Sequence, residues 1–289
     1  MIVTFIKEQQ NGNIYKLLFS GKNMETQTAK LPKFEGKLLI KTPVFISQIG
    51  FLEGNFGKAF LEEYKGRIKA DYKNVSALLT PPLNFLCYDE DVVKGSNPFV
   101  VVLANQILRQ EGLRTATQAD LEKAFKINAL NSIGYEDTGL VLRTEEDRDF
   151  PRNTPLAKDI GSQLRTKGIE FSSENPVMIP LTGLELANAD NGYGLTFKLR
   201  EDAQIYNAPV LGKKSGDFSS EDIDEITGLP TKLGEGSRIL STRDSGLSRL
   251  FLLGGSCISS EDCRLGIPGG FGRVVVVSAE GTSPQNSEK

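Results

Sequence analysis

The sequence predicts an α+β fold, on three observations. Two stretches carry apolar residues at helical spacing, and short strand-like runs separated by turn residues crowd the region after them. Near the end, a glycine-rich segment without periodicity is held between two further strand-like runs. Composition shifts divide the 289-residue chain into a small, mostly β N-terminal module over residues 1–80, a connector over 81–97, a main domain over 98–279 and a disordered tail over 280–289.

In the N-terminal module, Ile2 to Ile6 and Ile14 to Phe19 read as a β-hairpin, because Asn11-Gly12 readily takes the positive φ angles of a type I′ turn. Lys37 to Ile46 is a third strand, with Pro43 marking an edge or a break, and Phe56 to Ile68 is a short helix. The paired prolines Pro81-Pro82 force extended backbone in the connector, and Cys87 among Phe85, Leu86 and Tyr88 reads as a small buried hydrophobe.

The main domain opens with Pro98 to Ala104, whose β-branched run predicts a buried strand. Thr117 is a helix cap ahead of Leu121, Ala124, Phe125 and Ala129, which recur at helical spacing. A second helix starts where Thr154 caps and Pro155 takes the first helical position, carries Leu156, Ile160 and Leu164 on one stripe, and stops at Gly168. Between them Arg143 to Asn153 is a mixed-charge run that reads as a solvated turn. Strands are expected at Val177 to Leu181, Leu184 to Leu186 and Leu195 to Leu199. A plain turn is expected at Asn188 to Gly192, where EF-hand spacing fails. Lys213 to Glu225 is expected on the surface.

Composition excludes whole classes of chemistry. The chain has no histidine, which rules out histidine-dependent triads, Cys-His nucleophiles and HExxH zinc sites. Catalysis is not expected, and neither a cofactor nor a metal is. A net charge of −3 argues against a phosphate-bound nucleic-acid partner, and no apolar run of about 18 residues offers a membrane span. The first residues lack the pattern of a signal peptide, so a soluble chain is expected, carried to any particle or cell surface by another component. Three cysteines, Cys87, Cys257 and Cys263, cannot all pair within one chain and fit no zinc spacing.

The order Leu-Ser-Thr-Arg-Asp at 240–244, Ser-Arg-Leu-Phe-Leu at 248–252, an irregular segment, then Gly-Phe-Gly-Arg-Val-Val-Val-Val at 270–277 resembles the C-terminal half of a C-type-lectin-like domain. More narrowly it resembles the variable protein of a diversity-generating retroelement, over roughly residues 98–279. That resemblance implies short mixed β-sheets, two helices and long loops, with Pro98 to Ala104 paired to Val274 to Val277 so that the domain ends meet. It also implies that positions near the C-terminus are randomised by adenine-directed mutagenesis, which cannot produce Glu, Lys, Gln, Met or Trp. Between Phe251 and Phe271 only Glu261 belongs to that excluded set, so Glu261 is expected to be fixed. The Pro and Trp triplets of the carbohydrate-binding lectins are missing, so calcium-dependent sugar binding is not expected.

Strand alternation then selects the ligand-facing residues. With Leu250 and Leu252 inward, Arg249, Phe251 and Leu253 face the irregular segment. In that segment Gly254, Gly255, Cys257, Ser259, Cys263 and Arg264 are candidate contacts. So are Gly266, Ile267, Gly269, Gly270 and Phe271, with Asp262 as a further polar option. Apolar anchors ringed by polar groups suit a macromolecular, protein-class ligand. Gly266 to Gly272 is no phosphate loop, because a strand rather than a helix follows it. Two alternatives remain. The cysteines Cys257 and Cys263 could serve a thiol oxidase of the formylglycine-generating type, which shares the lectin-like fold, or the chain could be a structural particle component.

Overall fold

The computed structural model describes residues 30–41, 46–72, 75, 81–130, 134–267 and 271–280. The expected N-terminal hairpin and the tail beyond residue 280 lie outside the described residues, as does Pro43. From Leu31 onward the chain is one unit.

In chain order, β1 (Lys37–Lys41) and β2 (Ile46–Phe51) lead into α1 (Gly54–Asp71). The hairpin of β3 (Cys87–Asp89) and β4 (Val92–Lys94) precedes α2 (Pro98–Leu108), β5 (Leu113–Thr115) and α3 (Gln118–Lys126). The central strand β6 (Tyr135–Leu142) is followed by α4 (Thr154–Thr166), β7 (Val177–Pro180), and the pair β8 (Leu184–Asn188) and β9 (Leu195–Leu199). Then come β10 (Tyr206–Asn207), β11 (Gly216–Phe218), β12 (Arg238–Ser241), β13 (Leu247–Leu253), β14 (Cys257–Ser259), β15 (Gly272–Arg273) and β16 (Val275–Glu280).

The α+β expectation holds. One sheet of four strands runs β1-β2-β16-β5, and a sheet of ten strands is centred on the β6–β13 pair. Several expectations need correction. Pro98 to Ala104 is helical: Asn97 accepts a hydrogen bond from Val100 N at 2.9 Å, and Pro98 occupies the first turn. Ten of the eleven α2 residues are buried, so the helix is covered all round and apolar except at Asn105 and Gln106. A run of that kind cannot be told from a strand by periodicity, and burial overrides the β-propensity of Val100, Val101 and Val102. Phe99 stacks on Phe197 with ring centroids 4.6 Å apart.

The terminal strand therefore has a different partner from the one expected. β16 pairs antiparallel with β2 from Val275↔Phe51 to Glu280↔Ile46, and with β5 on its other side. Phe34, Leu52 and the inward residues of α1 through Tyr72 share a core with α2 and α4, so the expected boundary at residue 80 does not divide the described chain. The expected connector is likewise structured: β3 and β4 extend the large sheet, and Leu83, Leu86 and Val93 are core residues. Cys87, expected to be buried, is exposed on the edge strand β3.

All three predicted helices form, Phe56 to Ile68 within α1 and the other two as α3 and α4. Thr117 and Asp120 make a reciprocal capping box at α3. Gly168 stops α4 at φ 73°. The cap of α4 is Asn153 rather than Thr154, and the Asn153 side chain is spent elsewhere, donating to Leu247 O at 3.1 Å and Cys263 O at 2.7 Å. The turn at 188–192 closes the β8–β9 hairpin, with Asn191 Oδ1 accepting from Tyr193 N at 2.9 Å.

The charged run 143–153 is not a solvated turn. Arg143 is fully buried, and Asp147 and Asn153 are buried with it. Asp147 holds Arg243 through two hydrogen bonds of 2.9 and 2.8 Å. The expected surface segment 213–225 also contributes to the core, through Phe218.

Candidate functional site

The face of the large sheet that β13 turns toward the irregular segment is built in rungs. One rung crosses four strand pairings, Ile239↔Cys257, Cys257↔Leu253, Leu253↔Tyr135 and Tyr135↔Gly272. Directly paired residues project to the same side of a sheet, so these side chains form one row. Ile239 and Leu253 are exposed on it, and Phe271, which precedes Gly272 outside the rung, is 77% exposed. Exposure at that level is unusual for a phenylalanine. The next rung, Ser241↔Ser259↔Phe251↔Asp137, is more covered: Ser259 is buried and Phe251 half-buried.

Beside the row, on the same face, lies a charged brace. Arg249 is buried on this face and forks onto Asp137, with Nε and Nη2 each 2.6 Å from a carboxylate oxygen. Its guanidinium sits over the rings of Tyr135 and Phe251, 4.8 and 5.1 Å from their centroids. Ser96 donates to Asp137 at 2.5 Å, and Tyr135 donates to Ser96 O at 2.8 Å. The irregular segment closes over the pair. Arg249 N donates to Asp262 O at 3.0 Å and Arg249 Nη1 to Ile267 O at 3.2 Å. Burial alone would lower the Arg249 pKa, but the Asp137 carboxylate outweighs it and raises the pKa. Arg249, expected to meet the ligand, is therefore a positioning residue: strand alternation aims it as expected, but residues 262–267 fold across it.

The glycines have structural work. Gly254 and Gly255 both have positive φ, 57° and 71°, with Ser256 N donating to Leu253 O, the signature of a tight turn between β13 and β14. A Cβ on Gly266 would come within 2.9 Å of the Tyr193 ring. Gly269 and Gly270 lie outside the described residues. Among the remaining expected contacts, Arg264 and Ile267 are exposed, with Arg264 held at 2.9 Å by Asp262. Glu261, expected to be invariant, is exposed at the rim. Cys257 and Cys263 are half-buried free thiols, and burial pushes both pKa values up, away from the thiolate a nucleophile needs.

Ile239 was not among the sequence candidates. Its signal is faint: in Arg238-Ile-Leu-Ser241 both Ile239 and Leu240 are apolar, and only the pairing to β14 shows that Leu240 faces the core while Ile239 faces out.

A second buried acid borders the face. Glu136 pairs with Arg273 across β6 and β15, and its Oε2 has no hydrogen-bond partner among the described residues. Burial raises its pKa to about 7, against the pull of Arg273. A carboxyl whose folded pKa lies above its unfolded value keeps a proton that the unfolded chain has released. Stability is thus expected to fall as pH rises from about 4.5 to 7, by on the order of 2 kcal/mol. Because the chain has no histidine, few other groups titrate in this window. Denaturant titrations at pH 5 and 8 check this. Glu136→Gln should flatten the slope, and an unchanged slope would remove the assignment.

Among the described residues, no group of three or more Cys, Asp or Glu side chains could hold a metal ion, and no helix is long and apolar enough to cross a membrane. No protein-family model, curated protein or solved structure matches the chain. What fold and site define is an α+β scaffold that presents an exposed apolar row on a charge-braced sheet.

Proposed function

We propose that this chain is a ligand-binding display protein, the variable protein of a diversity-generating retroelement on a C-type-lectin-like fold, and that its ligand is a protein. The carrying observation is the pair Ile239 and Leu253, exposed on one rung of a sheet whose fixed brace lies on the same face, with Phe271 also exposed just before the rung's end at Gly272. A binding face that changes its side chains needs a scaffold indifferent to those changes. The division between exposed row and buried Arg249–Asp137 brace supplies one.

The encoding locus is the first test. The reading expects a near-copy of the segment coding for residues 251–271 that differs only at adenines, beside a reverse-transcriptase gene; a locus without one overturns it. A protein-level prediction accompanies it. A library randomised at Leu253, Ile267 and Phe271 is expected to fold with thermal midpoints within about 5 °C of the parent, as each exposed substitution costs at most about 0.5 kcal/mol. Widespread unfolding in that library would show these residues to be core.

A further inference from the structure

The opposite side of the large sheet holds a cleft that the binding face does not use. It has a volume of about 700 Å³ and opens between the first turn of α3, the end of α2, β7 and the loop around Glu225. That is the size of a small-molecule site.

Its floor is made by a β-bulge. On β13 the neighbours Leu250 and Phe251 oppose Gly139 and Asp137 on β6, so Thr138 is the extra residue. The Thr138 hydroxyl lies 3.0 Å from Gln118 Oε1, and Gln118 Nε2 donates to Glu122 Oε1 at 3.0 Å. Glu122 is in turn clamped by Arg238 at 2.6 and 2.7 Å. A floor tied down in this way presents fixed polar groups beside the apolar Met178 and Val277.

The walls carry three cations, Arg109, Arg114 and Lys123, and three anions, Asp120, Asp202 and Glu225. Arg114 forks onto Asp120, and Arg109 lies 3.5 Å from Asp202. Lys123 and Glu225 are exposed and make no ion pair or side-chain hydrogen bond among the described residues. A lining with balanced charge favours neither a simple anion nor a simple cation. One uncommitted charge of each sign favours a ligand that carries both.

We infer that this cleft binds a small zwitterion with an apolar side chain, of the amino-acid or dipeptide class, its carboxylate toward Lys123 and its ammonium toward Glu225. Calorimetric titration of the full chain with leucyl-leucine tests this, with the N-acetylated amide of the same dipeptide and a neutral hexose as controls. Saturable binding of the zwitterion is expected, with both controls at least about tenfold weaker. Lys123→Gln and Glu225→Gln should each weaken the zwitterion about tenfold, which is about 1.4 kcal/mol. Both side chains are exposed, so the variants should keep the parent's melting temperature. Lys123→Gln should leave a carboxyl-amidated dipeptide unaffected, and Glu225→Gln should leave an N-acetylated one unaffected. No binding, equal binding of the uncharged analogue, or indifference to both variants overturns the inference. Phe271→Ala should not alter this binding, so its outcome is independent of the proposed display function.

Discussion

Alanine at Arg249 is expected to lower stability by about 3–5 kcal/mol, because it leaves the Asp137 carboxylate buried without its counter-ion. In a body of this size that corresponds to a fall in melting temperature on the order of 10 °C. The loss has several components. The fork onto Asp137 goes, the Tyr135 and Phe251 rings lose the guanidinium that lies over both, and the Ile267 carbonyl loses its donor. The last effect would reach the proposed binding function, since Ile267 O is one of the atoms that tie the irregular segment to the sheet. Ligand binding should therefore fall at temperatures where the variant is still folded. A double variant, Arg249→Met with Asp137→Leu, removes both charges together and should recover a good part of the stability while leaving the segment loose. Thermal melts of the three proteins decide the matter: a single variant that melts with the parent would mean that water already relieves the charge on Asp137.

Arg143→Ala is the other substitution with a large expected cost, again about 3–5 kcal/mol, for a different reason. Arg143 is fully buried and faces neutral acceptors: Leu211 O at 3.3 and 3.0 Å, Ser248 Oγ at 2.9 Å and Ser260 Oγ at 2.8 Å. Burial, with the nearby Arg243, pulls its pKa down to about 10, so it remains charged at neutral pH. Alanine removes both the volume and the donors. Methionine keeps most of the volume and no charge, and the two serines still have partners in Ser260 O and Ser241 O. Arg143→Met is accordingly expected to cost less than about 2 kcal/mol. Guanidinium titrations separate the two, and equal losses for Ala and Met would show that hydrogen bonding, not packing, dominates at this position.

The legible parts of this protein were those whose cause is local. Thr117 and Asp120 sit three residues apart, and that spacing is itself the capping box of α3. Gly168 terminates α4 because a left-handed residue is cheapest as glycine. The alternation along β13 gave the right facing for Leu250, Leu252 and Leu253, since a period of two belongs to the strand and not to its neighbours. Of the candidate contacts, Leu253, Arg264, Ile267 and Phe271 are exposed as expected, while Arg249, Ser259 and Gly266 are buried.

What sequence by itself determined, then, was the α+β class, the start of α3 and the stop of α4, the facing of β13 and the exclusion of histidine chemistry. Tertiary structure alone decided that Pro98 to Leu108 is a helix, that β16 closes on β2, and that Ile239 belongs to the exposed row. It also decided that Arg143 and Arg249 are buried. The physical reason is range. A cap or a period is satisfied within one or two turns of chain, whereas Arg249 finds Asp137 across 112 residues and Arg143 finds Ser260 across 117. An arginine reads as solvated until the fold supplies the partner that lets it stay dry.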